Sequence, residues 1–138
     1  MSFLLDTNAV SEWIKPQPNP GLIAWMEATD EDRVFLSVIT LVELRYGVER
    51  LPASKKRKRL EDWLENELAL RFEERILGVD CGIALACGRM IARREALGRP
   101  LEGMDALLAA TAEVHRLTVI TRNDSDFEGV AQCVNPWT

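Results

Sequence analysis

Acidic residues occur where predicted secondary-structure elements meet, and this pattern could support metal-dependent chemistry. Asp6 directly follows the first predicted strand, Glu43 lies in the first turn of the helix predicted after the second strand, and Asp105 lies at the start of an alanine-rich helix. The segment after a later predicted strand contributes three more polar residues: Asn123, Asp124 and Asp126. In open parallel sheets, functional sites form outside the carboxyl ends of the strands, so these side chains are expected to converge.

Converging carboxylates repel one another, so they either raise one another's pKa or bind a cation. Oxygen-rich acidic clusters suit the hard divalent ions Mg²⁺ and Mn²⁺. The chain contains a single histidine, His115, which excludes a mechanism that needs two histidines. Metal-assisted hydrolysis is therefore the chemistry that the pattern favours, because a bound ion generates hydroxide and stabilises charge on a phosphate.

Each of these acids also has a purely structural explanation. Thr40 and Glu43 match the spacing of a capping box, in which the glutamate bonds back to the cap residue. Asp105 could cap its helix or complement the helix dipole, and Asp6 could cap the helix that follows it. The polar segment late in the chain could be an ordinary turn. It is the combination of acids at one predicted edge that favours a site.

Apolar runs and helical periodicity predict alternating strands and helices, with no hairpin signal between the strands. This pattern is typical of a three-layer α/β domain with a parallel sheet, and we expect residues 1–138 to form one domain. The predicted strands are residues 2–5, 34–38, 75–79, 118–121 and 132–135. The predicted helices are a short one around residues 10–14, one from residue 20, and longer ones at 40–51, 60–72, 82–97 and 104–117.

Composition limits the class of protein. Apolar residues make up 47% and charged residues 28% of the 138 residues, which is typical of a globular chain. No apolar run approaches the roughly 20 residues of a membrane span, and the N-terminus lacks the pattern of a signal peptide. Cys81, Cys87 and Cys133 form no CxxC pair, which favours a reducing compartment. We therefore expect a soluble, cytoplasmic protein. The net charge of −5 argues against binding nucleic acid through bulk electrostatics, but not against an enzyme that acts on it.

Four ordered segments resemble PIN-domain ribonucleases of the VapC toxin type, the toxin halves of toxin–antitoxin pairs. The resemblance runs from Phe3 to Trp137 and implies a parallel sheet of four or five strands and an RNA-cleaving centre that uses Mg²⁺ or Mn²⁺. The segments are "LLDTNAVSEWIKPQPNPGLIAWM", "FLSVITLVELRYGVERLP", "GRPLEGMDALLAATAEVHRLTVITRNDSDFEGV" and "NPW".

The resemblance also implies roles for individual residues. Asp6, Glu43 and Asp105 match the family's acidic triad, with Asp6 and Asp105 as the most direct metal ligands and Glu43 acting directly or through water. A water activated in this way would attack an RNA phosphodiester in line, so the products are expected to carry 5′-phosphates.

The fourth acidic position of many PIN domains directly follows the fourth strand, and this chain departs from the pattern there. Asn123 occupies that place, with Asp124 and Asp126 behind it. We prefer Asp126 as the fourth acid, with Asn123 as a neutral ligand or positioning group and Asp124 as a secondary candidate.

Partners follow from the same resemblance: RNA as substrate, a homodimer, and a small antitoxin whose C-terminal segment covers the acidic cleft. Arg122 and Arg45 are the preferred candidates for RNA phosphate contacts, and Arg89 and Arg93 are further candidates. The basic run at 55–59 is interpreted as the solvated start of a helix, since five consecutive residues cannot share one helical face.

Three alternative functions remain open at this stage. The chain could be a PIN-like binding module that acts only through its antitoxin, or a nuclease directed at DNA or at a nucleic-acid structure. A phosphoryl-transfer enzyme with Asp6 as nucleophile is disfavoured because Asn8 replaces the usual acidic partner two positions on.

Overall fold

Five parallel strands form a sheet with helices on both faces in the computed structural model, which describes residues 1–138. The strand order is β3-β2-β1-β4-β5. The predicted α/β architecture with four to five parallel strands is therefore confirmed. The strands are β1 (Phe3–Leu5), β2 (Val34–Ser37), β3 (Ile76–Leu77), β4 (Thr118–Ile120) and β5 (Cys133–Val134).

The helices match the predicted order, and their ends are set by capping groups. Ser37 caps the helix after β2 by accepting a hydrogen bond from the Ile39 amide at 3.0 Å, so Val38 is helical rather than the end of a strand. The helix predicted from residue 60 begins earlier, at Lys55, and includes a π-helical segment, Trp63–Leu68. The helices are α1 (Thr7–Trp13), α2 (Pro20–Ala28), α3 (Val38–Glu49), α4 (Lys55–Asp62), α5 (Ala69–Arg71), α6 (Cys81–Ala96) and α7 (Gly103–His115). No helix combines the length and the apolar character that crossing a bilayer requires.

The two faces of the sheet bury separate cores, because successive side chains of a strand point to opposite faces. Leu4 of β1 and Val119 of β4 pack with α6 and α7 on one face. Leu5 and Ile120, the next residues along, pack on the other face with α1, α2, α3, the π-helical segment Trp63–Leu68 and Phe72. Strands buried on both faces read as unbroken apolar runs, which is why the sequence shows them clearly.

Strands are added on one side of β1 first and on its other side later, so the strand order reverses at β1. From β1 it builds outward to β2 and β3, and then returns through α6 and α7 to place β4 on the other side of β1. The carboxyl ends of β1 and β4 lead into Asp6 and Thr121, and the Asp6 amide donates to the Ile120 carbonyl at 3.1 Å. Ligands of open α/β sheets bind at such a switch point, so this crevice is where a site is expected.

The C-terminal residues pack against the start of α2. Asn19 caps α2, donates its side-chain amide to the Thr138 carbonyl at 3.0 Å and accepts from the Thr138 amide at 3.1 Å. A side-chain Cβ at Gly21 would come closer than 3.0 Å to the Pro136 carbonyl oxygen. The absence of a side chain at Gly21 is therefore what permits this contact.

Candidate active site

Asp6 is a buried acid that serves both as a helix cap and as a member of an acidic cluster. Its carboxylate is 5% exposed and accepts a hydrogen bond from the Ala9 amide at 2.8 Å, which caps α1. Burial raises the pKa of Asp6 to about 6, and repulsion by Glu43 adds to the shift. The Thr121 hydroxyl and the Ala9 amide stabilise the charged form and act in the opposite direction. The capping role of Asp6 is therefore compatible with its place in the acidic cluster.

Glu43 lies in the second turn of α3, and its carboxylate is held from α1 rather than by its own helix terminus. The Thr7 hydroxyl donates to Glu43 Oε1 at 2.7 Å. The alternative capping box with Thr40 is wrong, because Ser37 caps α3. Thr40 is instead fully buried, and its hydroxyl has no hydrogen-bond partner. Glu43 is therefore free of a capping role and faces Asp6.

Asp105 lies in the first turn of α7 and is half-buried, but it does not cap the helix. Glu102 is the cap, accepting from the amides of Met104 at 3.0 Å and Asp105 at 3.2 Å. Burial and, to a smaller extent, repulsion by nearby carboxylates together raise the pKa of Asp105 to about 6. In order of effect, these carboxylates are those of Glu102, Asp126, Glu43 and Asp6. The structure therefore brings the three acids of the predicted triad within electrostatic reach of one another.

Glu102 is a member of this cluster that the sequence analysis missed. It contributes the largest repulsion on Asp105, ahead of the acids predicted from the sequence. Glutamate is not among the preferred N-cap residues, so no capping rule pointed to it. Its position three residues before Asp105, at the predicted start of the same helix, is the one signal that could have found it.

The segment after β4 separates the three candidates for the fourth position. Residues Asp124–Phe127 form a 3₁₀ turn preceded by Asn123, and all three candidate side chains are exposed. Asp126 raises the pKa of Asp105. Asp124 is not among the carboxylates that raise the pKa of Asp105. Burial, with smaller contributions from Asp124 and Asp6, raises the pKa of the Cys133 thiol to about 11. Asn123 precedes the turn without a side-chain capping bond. Asp126 is thus the acid that faces Asp105.

The donor set at this crevice fits a hydrated hard cation. The candidate ligands are carboxylate oxygens together with the side-chain amide oxygen of Asn123, and Mg²⁺ and Mn²⁺ prefer oxygen ligands of these kinds. No group of three or more Asp, Glu, His or Cys side chains is arranged so that it could by itself hold a metal ion. Mg²⁺ usually keeps several waters and takes one or two carboxylates directly, so an open pair of acids with others behind it suits this ion. The crowding of Asp6 and Asp105, whose pKa values are both raised, is the energetic reason for a cation to bind.

The candidate RNA-contacting arginines differ in their surroundings. Arg122 follows Thr121 at the edge of the crevice, is exposed, and has no carboxylate oxygen within 4.0 Å. Arg45 instead forms ion pairs at 3.0 Å with both Glu49 and Glu65. Arg122 is therefore the better placed of the two for a phosphate. The remaining candidates, Arg89 and Arg93, are exposed on α6.

The basic run at 55–59 forms the beginning of α4, as predicted. Arg57 is the one residue of the run that turns inward, where it pairs with Glu61 at 2.7 Å and Glu49 at 3.0 Å. The other four side chains are exposed to solvent. The run is thus mainly a solvated helix start.

An apolar groove lies beside the acidic crevice. It has a volume of about 310 Å³, and Thr7 and Glu43 form its end nearest the crevice. Its walls come from α1, α3 and α4, with Ile14, Leu44 and Trp63 among the apolar side chains. A surface of this kind next to a charged site can hold a partner segment.

The fold, the switch-point crevice and its acids agree with a family assignment. The sequence model of the PIN domain family matches residues 3–132, and the chain belongs to this family. Within the family, it is similar to two curated proteins along almost the whole length of each chain. Toxin FitB of Neisseria gonorrhoeae is 38% identical over 135 residues, covering 97% of both chains. VapC ribonuclease Y4jK of Sinorhizobium fredii is 34% identical, covering 97% of this chain and 96% of the relative.

A solved structure supports the same placement. The structure described as FitAB bound to an IR36 DNA fragment matches with a TM-score of 0.92 and 35% identity, over 99% of this chain and 96% of the other. The predicted relationship to PIN-domain toxins of the VapC type is therefore confirmed.

Proposed function

We propose that this protein is a metal-dependent endoribonuclease, the toxin component of a toxin–antitoxin module, and that residues 1–138 act as one PIN domain. The observation that carries the proposal is the crevice at the switch point, where Asp6, Glu43 and Asp105 lie within electrostatic reach of one another. The names of the relatives, a toxin and a VapC ribonuclease, support the same function.

The proposed ligands of Mg²⁺ or Mn²⁺ are Asp6 and Asp105, with Glu43 binding directly or through water and Asp126 as the fourth acid. When bound, such an ion activates water and stabilises negative charge on a phosphate. The protein's own contribution is to hold these oxygens in place: the Ala9 amide orients Asp6 and the Thr7 hydroxyl orients Glu43.

The pKa values of Asp6 and Asp105, both about 6, set the protonation state that binding requires. A protonated carboxyl is a poor ligand, so proton and cation compete for the same oxygens. Metal binding and cleavage are therefore expected to weaken as the pH falls below about 6.

The proposed partners are RNA and a cognate antitoxin, with a homodimer or a pair of toxin–antitoxin heterodimers as the assembly. Arg122 is proposed to contact an RNA phosphate, since it is exposed at the edge of the crevice and free of ion pairs. The apolar groove that ends at Glu43 offers the antitoxin a surface continuous with the acidic crevice. An antitoxin arginine among the carboxylates would compete with the metal and silence the enzyme.

The test is cleavage of a panel of cellular RNAs by the wild type and by Asp105→Asn, with Mg²⁺ and with chelator, mapping the fragment ends. We expect the wild type to leave 5′-phosphates in Mg²⁺ and to be inactive in chelator, and Asp105→Asn to be inactive in both. Asp80→Asn is the matched control, because it makes the same change at an exposed cap of α6. Cyclic phosphate ends, or full activity in chelator, would contradict the mechanism.

A regulatory role through the antitoxin is the second candidate, since the matching FitAB structure holds a DNA fragment. Asp6→Asn separates the two functions. The nuclease hypothesis demands that this variant lose RNA cleavage and toxicity, while a purely regulatory module would keep its full effect in cells. Adding a DNA panel to the same assay distinguishes an RNA-directed from a DNA-directed nuclease.

A further inference from the structure

Arg94 is a buried cation in the last turn of α6, and it bonds only to backbone carbonyls. Its side chain is 7% exposed. Nε donates to the Arg99 carbonyl at 2.8 Å, and one terminal nitrogen donates to the carbonyls of Glu128 at 3.1 Å and Asp126 at 3.4 Å. No carboxylate oxygen lies within 4.0 Å of its guanidinium.

A buried charge without an ionic partner is costly, so this arrangement needs a compensating gain. The fork of the guanidinium supplies donors in several fixed directions, which a lysine cannot do. The donors of Arg94 bind carbonyls in two separate segments. One is residues 97–102, which lead into α7, and the other is residues 123–129, which follow β4. Replacing the arginine would leave the carbonyls of both segments without these bonds.

The two segments are those that place carboxylates at the candidate active site. The first ends in Glu102, the cap of the helix that carries Asp105, and the second contains Asp126. The Arg99 amide also donates to the Arg94 carbonyl at 2.9 Å, so the bonds between these two residues are reciprocal. The Arg99 guanidinium also forms an ion pair with the carboxylate of Glu128 at 3.2 Å, which is a second contact between the two segments.

We propose that Arg94 is a positioning residue that fixes the Asp126 turn relative to the start of α7, and so sets the distance between the carboxylates of Asp126 and Asp105. Arg94 touches neither carboxylate and acts through the backbone. The consequence for metal binding rests on the proposed function, whereas the consequence for the two segments does not.

The test uses Arg94→Met and Arg94→Lys in the full chain, with the exposed Arg33→Met as the matched control. Hydrogen exchange followed by mass spectrometry reports on the two segments without any metal. In both Arg94 variants we expect exchange to become at least about tenfold faster in peptides spanning 97–102 and 123–131, since hydrogen bonds to a charged group contribute factors of this order. Peptides spanning β1 and α3 are expected to keep their wild-type exchange.

A second measurement asks whether Arg94 acts through Asp126. We expect Arg94→Lys to weaken Mn²⁺ binding about three- to tenfold, measured by calorimetry, and to add little when Asp126 is already Asn. A purely structural role would lower stability without this dependence on Asp126.

The outcomes separate the two proposals. Unchanged exchange in both segments of a folded variant overturns the positioning role, as does a loss of Mn²⁺ affinity that adds in full to that of Asp126→Asn. If Arg94→Met does not fold, the hydrogen exchange of Arg94→Lys tests the positioning role instead. If the wild type binds no Mn²⁺, the proposed function fails, and the exchange data alone decide the role of Arg94.

Discussion

Replacing Asp6 with Asn should make the metal-free protein more stable at neutral pH, although it removes the proposed activity. Asparagine keeps a side-chain oxygen, so the bond from the Ala9 amide that caps α1 can persist. What the change removes is a buried negative charge. Active-site acids of this kind are retained for function at a cost in stability.

The raised pKa gives the size of the effect. The pKa of Asp6 is about 6 in the folded protein against an ordinary value of 3.8, and this difference corresponds to about 3 kcal/mol at 1.36 kcal/mol per pKa unit. Between these values the folded state binds more protons than the unfolded state. The contribution of Asp6 to the free energy of unfolding is therefore fully present below about pH 4, falls as the pH rises through about 6, and is lost above it.

The assay is urea unfolding of the wild type and Asp6→Asn at pH 7.5 and pH 4, with chelator and with Mn²⁺. In chelator at pH 7.5 we expect the variant to be more stable by up to about 3 kcal/mol, and at pH 4 we expect the advantage to shrink to near zero. With saturating Mn²⁺ the difference in stability between the variant and the wild type should shrink or change sign, because the ion stabilises only a protein that binds it.

Asp80→Asn controls for the chemical change itself. Asp80 caps α6 through the Ile83 amide at 2.9 Å but is exposed, so its neutralisation should produce no comparable gain at pH 7.5. If Asp6→Asn is less stable than the wild type at pH 7.5 in chelator, or changes stability equally at both pH values, then burial does not hold this carboxylate in an unfavourable charged state.

Two further predictions concern the acidic cluster and the fold. Glu102→Gln keeps the oxygen that caps α7 but removes the repulsion on Asp105, so the pKa of Asp105 should fall. The acid limb of the pH profile of RNA cleavage should then move to lower pH. If the limb does not move, Glu102 does not act on the site. Gly21→Ala should cost about 1–3 kcal/mol in urea unfolding, because its Cβ would collide with the Pro136 carbonyl. Gly47→Ala, in the interior of α3 with nothing within 4 Å of its Cβ, should instead stabilise by up to about 1 kcal/mol, and equal effects at the two glycines would contradict this packing.

The sequence by itself determined the architecture and three of the acids at the crevice. Strands buried on both faces appear as continuous apolar runs, and helices appear through their 3.6-residue period, so both are local signals. Once the strands alternate with helices, a parallel sheet follows, and its carboxyl edge must carry whatever residue ends each strand. Asp6 was found in this way, whereas Glu43 and Asp105 were found from their positions near predicted helix starts and from the resemblance to the family's acidic triad.

Only the tertiary structure shows which acids interact with Asp105 and which of the candidate arginines form ion pairs. Asp124 and Asp126 are two residues apart, and although the sequence analysis preferred Asp126, only the folded turn shows that Asp126 is the one that influences Asp105. Arg45 looked available for RNA until α4 and the segment after it supplied its ionic partner Glu65. Glu102 is the exception, because it caps the helix that carries Asp105 and is therefore its neighbour in sequence. For the other residues, distances between side chains on different elements depend on packing between residues remote in sequence, which no local pattern encodes.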